Sequence, residues 1–108
     1  MSRSITESFI SIVGSYEIDP VDVAAFAKIA TESIEQTVNK KGCLYYIASQ
    51  DLQTPNVFHL TEGWATQADL DNHGASPVFK NMLEQAFKLR ILSREIYLSE
   101  SKGRTLLA

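Results

Sequence analysis

Apolar positions along the chain change period several times, and each change marks an element. Residues 8–16, SFISIVGSY, are rich in β-branched and aromatic side chains and predict a first strand, in which Gly14 marks a bulge or a close approach to the backbone. Asp19 and Pro20 then supply an N-cap and a first helical residue, with Asp22 in the first turn, where the helix dipole favours an anion. Val23, Phe26, Ala27, Ala30, Ile34 and Val38 follow at spacings of three and four, forming one apolar helix face that Lys40, Lys41 and Gly42 terminate. Strand patterns return over residues 43–50 and 57–65, and Asp51, Pro55 and Asn56 between them predict a hairpin. Thr66 with Asp69 opens a short helix that Gly74 is expected to end. Ser76 and Pro77 cap and start another, with Val78, Phe79, Met82 and Ala86 on its apolar face. A last strand is expected over residues 89–98, followed by a polar C-terminal tail at 99–108.

The resulting order predicts an α+β, ferredoxin-like βαββαβ fold: a four-stranded antiparallel sheet with helices on one face, in a single domain over residues 8–98. Alternation puts Phe58, Leu60, Glu62 and Trp64 on one side of the third strand, and His59, Thr61 and Gly63 on the other. On the second strand Leu44, Tyr46 and Ala48 oppose Cys43, Tyr45 and Ile47, so both faces carry apolar area. With helices enough for one face, the other is expected to pack on a second copy, giving a homodimer through the open sheet face.

Composition narrows the partners. At 108 residues with 44% hydrophobic and 21% charged positions, the chain can build one core. Ten basic residues against thirteen acidic ones give a net charge of −3 with no basic block beyond Lys40 and Lys41, which disfavours a nucleic-acid partner. No apolar run suits a membrane span or a secretory leader, so no membrane partner is expected and the default location is cytoplasmic. Cys43 is the single cysteine and sits in an apolar stretch, which suggests a buried structural thiol. With His59 and His73 as the two histidines, no zinc site is expected, and no phosphate loop, dinucleotide fingerprint or nucleophile elbow is present.

The candidate chemistry lies in GWATQADLDNHGASPVF, residues 63–79. His73 follows Leu70 by three residues and shares its helix face, so it leans inward if Leu70 anchors the helix. A neutral imidazole suits general acid/base work, and the plain alternative is a helix-end histidine satisfied by carbonyls or water. Trp64 offers a rigid wall with one N–H donor, and a core tryptophan is the plain alternative. Glu62 on the same face must be paired or hydrogen-bonded, or have a raised pKa, and Arg94 on the last strand is a candidate partner. Tyr16, Tyr45, Tyr46 and Tyr97 offer hydroxyls that could steer a polar aromatic molecule, although strand tyrosines commonly serve packing.

GCLYYIASQD and PNVFHLTEGWATQADLDNHGASPVFKNM together resemble the antibiotic biosynthesis monooxygenase family, which includes the quinol monooxygenases. The resemblance rests on Gly42, Cys43 and Tyr46, then Pro55 and Asn56, Glu62 and Trp64, and finally Leu70, His73, Ser76 and Phe79. It implies a dimeric α/β barrel with a pocket between the sheet and helices of each subunit. It also implies oxygenation of a small quinol, phenolic or polyketide-like aromatic by molecular oxygen with no cofactor, neither metal nor flavin. On that reading His73 is the catalytic proton manager, Trp64 and Phe79 are apolar walls, Tyr46 is an orienting hydroxyl and Glu62 completes the substrate-binding set.

Val78 stands where family members often carry a histidine, which removes one polar group from the pocket. This departure keeps open a non-catalytic, ligand-binding or stress-associated dimeric barrel. Haem-degrading monooxygenases share the fold and the Trp64–His73 spacing but add an asparagine near the position of Gly14, so haem binding is the weaker alternative.

Overall fold

A computed structural model describes residues 4–108; residues 1–3, at the head of the stretch weighed as a secretory leader, lie outside the described residues. Four strands, β1 (Phe9–Ile18), β2 (Cys43–Gln50), β3 (Val57–Trp64) and β4 (Ile91–Ser101), form one sheet in the order β2-β3-β1-β4, with all neighbours antiparallel. Helices α1 (Val23–Thr37), α2 (Gln67–Ala75) and α3 (Pro77–Ala86) lie on one face, in the ferredoxin-like α+β arrangement. Two apolar clusters join sheet to helices. Ile10, Ile12, Tyr46 and Trp64 pack with Ile34 and Leu70, and Ile18, Phe26 and Phe58 pack with Ala30 and Leu89.

Several local expectations are refined. Pro20–Asp22 is a 3-10 turn ahead of α1, capped by the Asp19 carboxylate, which accepts from the Val21 N–H at 3.0 Å. Asp22 is thereby released to accept from the Arg90 N–H at 2.9 Å, tying the start of α1 to the approach of β4. Gly42 adopts φ +79° after the helix, a conformation open to glycine at little cost.

Gly74 does not end α2, which continues to Ala75. The break falls at Ser76, extended at φ −72° and ψ 147°, because Pro77 disfavours helical backbone in the residue before it. Ser76 ends one helix and caps the next, its Oγ accepting from the Phe79 N–H at 3.2 Å.

Two strand readings are corrected. A register shift between Cys43 and Tyr45 leaves Leu44 as an extra residue, so Cys43 pairs with Trp64 and packs on the same helix-covered cluster as Tyr46. The expected alternation, with Cys43 opposite Tyr46, fails at that bulge. β4 runs to Ser101 rather than 98, since Ser99, Glu100 and Ser101 pair with Ser11, Ile10 and Phe9. Polar side chains are no obstacle there, because a ladder needs only backbone groups opposite one another. Beyond the strand, Ile5 and Arg104 exchange backbone hydrogen bonds at 2.8 and 2.9 Å.

Gly14 is no bulge in β1: its register is continuous on both sides, and the close approach comes from Glu95 and Ile96 of β4. On the sheet face away from the helices, Val13, Ile47 and Tyr97 are exposed in one row with Thr61. On the helix side of β4, Ile96 and Leu98 are also exposed. Among the described residues, no helix is long and apolar enough to cross a membrane.

Candidate active site

Between the sheet and the helices lies a cavity of about 220 Å³. Phe58, Leu60 and Ile12 floor it, Phe26 and Ala30 of α1 form one side, and Leu70, His73, Phe79 and Met82 of α2 and α3 form the other. Its polar atoms come from few residues, chiefly Tyr16, Ser33, Tyr46, Glu62 and His73.

His73 is held here by local geometry. Thr66 caps α2, its Oγ1 accepting from the Asp69 N–H at 3.1 Å, and Leu70 one turn on packs against the Trp64 cluster. His73 therefore turns inward and is 3% exposed. Its ring stacks on Trp64 with centroids 4.8 Å apart and planes 24° from parallel, and Phe79 packs at 4.7 Å on a tilt. Tyr46 meets the imidazole edge to face at 6.0 Å.

The imidazole has one polar partner. Lys40 Nζ donates to Nδ1 at 2.9 Å and to Ser76 Oγ at 2.9 Å, while Nε2 is buried with no hydrogen-bond partner. Burial, reinforced by the Lys40 charge, pushes the His73 pKa down to about 4, so the ring is neutral at neutral pH. Burial also draws the Lys40 ammonium below its ordinary value.

Trp64 is fully buried and its Nε1–H donates to Glu62 Oε1 at 2.9 Å. Burial raises the Glu62 pKa, and the Trp64 hydrogen bond offsets part of that rise. The candidate partner, Arg94, is elsewhere: it pairs with Tyr16 of β1, and its guanidinium lies 4.9 Å from the Phe87 ring centroid. Glu62 is opposite Ile12, four residues along β1 from Tyr16, so an Arg94 bridge is out of register. Tyr46 OH pairs with Ser33 Oγ at 3.2 Å, and burial followed by the Glu62 charge pushes the phenol up to about 12.

The structure thus brings His73, Phe79, Tyr46 and Glu62 together around one space, whereas Trp64 is a fully buried core residue that backs the His73 ring and does not itself line the cavity. Of the other tyrosines, Tyr16 reaches the cavity, whereas Tyr45 packs on Phe9 and beneath Arg104, and Tyr97 is exposed on the opposite face. His59 has its imidazole against Asp51 at 2.8 Å near the surface. Among the described residues no group of three His, Cys, Asp or Glu side chains is arranged to hold a metal ion.

Two site residues escaped the sequence reading. Ser33 lies seven residues after Phe26 on the inward face of α1, and a hydroxyl on an apolar face is the signal that marks it. Lys40 carried no such signal, because a lysine after a helix end is ordinarily solvated.

A ferredoxin-like sheet with a partly open, largely apolar cavity between sheet and helices and one buried neutral histidine beside it defines a class of small α+β proteins. The family model for antibiotic biosynthesis monooxygenases matches residues 9–85, and the chain belongs to that family. An uncharacterized protein of Synechocystis sp. is 28% identical over 87 residues, a match spanning 81% of this chain and 59% of that protein. Among solved structures, a Deinococcus radiodurans protein assigned to the antibiotic biosynthesis monooxygenases superposes with a TM-score of 0.84 at 21% identity, covering 92% of this chain and 98% of that one. A conserved protein from Methanosarcina mazei superposes at 0.79 with 26% identity, covering 87% and 92%.

Proposed function

We propose that this protein is a cofactor-independent monooxygenase that oxidises a small quinol or phenolic aromatic with molecular oxygen. The observation that carries the reading is the buried His73, neutral and with an unpartnered Nε2, which lines an apolar cavity and packs between Phe79 and the core Trp64. An apolar cavity of ~150 Å³ accepts a benzene ring, so the space here suits one or two fused rings.

An electron-rich phenol reduces oxygen itself. One oxygen atom bonds to a ring carbon, and the other leaves as water with the phenolic and ring hydrogens, giving a quinone. The protein's part is to exclude water, hold the ring and control the proton on its oxygen. In this reading His73 and Tyr46 exert that control, Phe79 is a wall, Trp64 backs the imidazole from the core and Glu62 fixes the indole.

We further propose that the subunit works as a homodimer through the open sheet face, where Val13, Ile47 and Tyr97 are exposed. The free Cys43 thiol suits a reducing compartment such as the cytoplasm.

Oxygen uptake and product mass are to be followed with a panel of hydroquinones and polyphenols, for the wild type and His73→Ala. A quinone or a one-oxygen gain above the protein-free rate, reduced at least severalfold in the variant, is expected. An aromatic bound tightly and recovered unchanged would replace this reading with a non-catalytic binding barrel.

A further inference from the structure

Lys40 reaches the cavity's histidine from the end of α1, 33 residues away in sequence. An ammonium has three donors and no acceptor. One donor goes to His73 Nδ1 and a second to Ser76 Oγ, each at 2.9 Å. Ser76 Oγ is itself fixed, donating to the His73 carbonyl at 2.7 Å and accepting from the Phe79 N–H at 3.2 Å. The helix break at Ser76 thus anchors the ammonium as well as α3.

Nδ1 must accept from Lys40, so the proton of the neutral ring sits on Nε2. That N–H is buried without a partner, although buried donors are paired in the great majority of cases. His73 lines the cavity, and although Nε2 itself is covered in the ligand-free fold, an acceptor on a ligand there would satisfy the orphan donor after a small shift of the ring or its neighbours.

We propose that Lys40 locks His73 in the tautomer protonated on Nε2, so that the ring presents a hydrogen-bond donor, with a cation behind it, to an ionised ring oxygen in the cavity. Lys40 is then a positioning residue and His73 an oxyanion donor. This rests on the reading of the cavity as an aromatic site, and it selects ligands carrying an acidic hydroxyl over plain hydrocarbons. Around the imidazole, β3 contributes Glu62, whose Oε1 is engaged by Trp64, and β2 contributes Tyr46, whose hydroxyl is engaged by Ser33. A charged Glu62 opposes an anionic ligand, so the effect of Lys40 has to be read by changing Lys40 alone.

Two measurements test the proposal. Two-bond proton–nitrogen spectra of His73 in the ligand-free protein should show hydrogen on Nε2 in the wild type and in Lys40→Arg, and a mixed or reversed tautomer in Lys40→Met. An Nδ1–H ring in the wild type, or one unchanged in Lys40→Met, overturns the assignment. Titration of bound 4-nitrophenol, whose phenolate is coloured and resists oxidation, should show its ionisation displaced toward acid by about one pH unit in the wild type, with the displacement lost in Lys40→Met. Binding with no displacement in the wild type overturns the oxyanion role. Absence of binding removes the aromatic site itself, while the ligand-free spectra still decide what Lys40 does.

Discussion

The depressed pKa of His73 makes this protein's stability depend on pH in a calculable window. His73 titrates near 6.5 in an unfolded chain and at about 4 in the fold, so between those values the unfolded state binds the extra proton. Stability is therefore full above about pH 6.5, falls as the pH drops toward 4, and loses nothing further from this group below that. At roughly 1.4 kcal/mol per unit, the gap amounts to about 3 kcal/mol, a large share of a small domain's total. Urea unfolding at pH 7, 5.5 and 4.5 and one fixed protein concentration measures it, with His73→Phe as the reference. Phenylalanine keeps a ring between Trp64 and Phe79 but carries no proton. The difference between the two profiles is the quantity to read, because the raised Glu62 pKa favours the fold as the pH falls and is common to both proteins. Asp51, held at about 2 chiefly by its hydrogen bond to His59, acts below this window. Parallel profiles for the two proteins would show that His73 is not buried in neutral form. Lys40→Met should leave most of the slope, since burial is the larger cause of the shift.

Two packing predictions stand apart from titration. Trp64→Ala should destabilise by about 3–5 kcal/mol, read from the urea midpoint at pH 7, since it empties a fully buried site and leaves the Glu62 carboxyl without its donor. Gly14→Ala should weaken the β1–β4 pairing, because the added Cβ would stand 2.7 Å from the Glu95 carbonyl oxygen and 2.9 Å from Ile96 Cγ1; unchanged amide exchange along β4 would refute it.

What the sequence by itself determined follows from interactions between near neighbours. Alternation over β3 put Phe58, Leu60, Glu62 and Trp64 on one face, and the caps at Thr66 and Ser76 with the Leu70–His73 spacing turned the histidine inward. These are contacts within a few residues, where period and capping chemistry are set by covalent geometry. Tertiary structure alone decided the rest. The bulge at Leu44 carried Cys43 to the helix side, because a strand's phase depends on the partner it meets. Glu62 took its hydrogen bond from Trp64 and not from Arg94, since the register across β1 separates the latter pair. Lys40 and His73 became partners across 33 residues only because the end of α1 and the break at Ser76 converge in space, and no local pattern of residues encodes such a convergence.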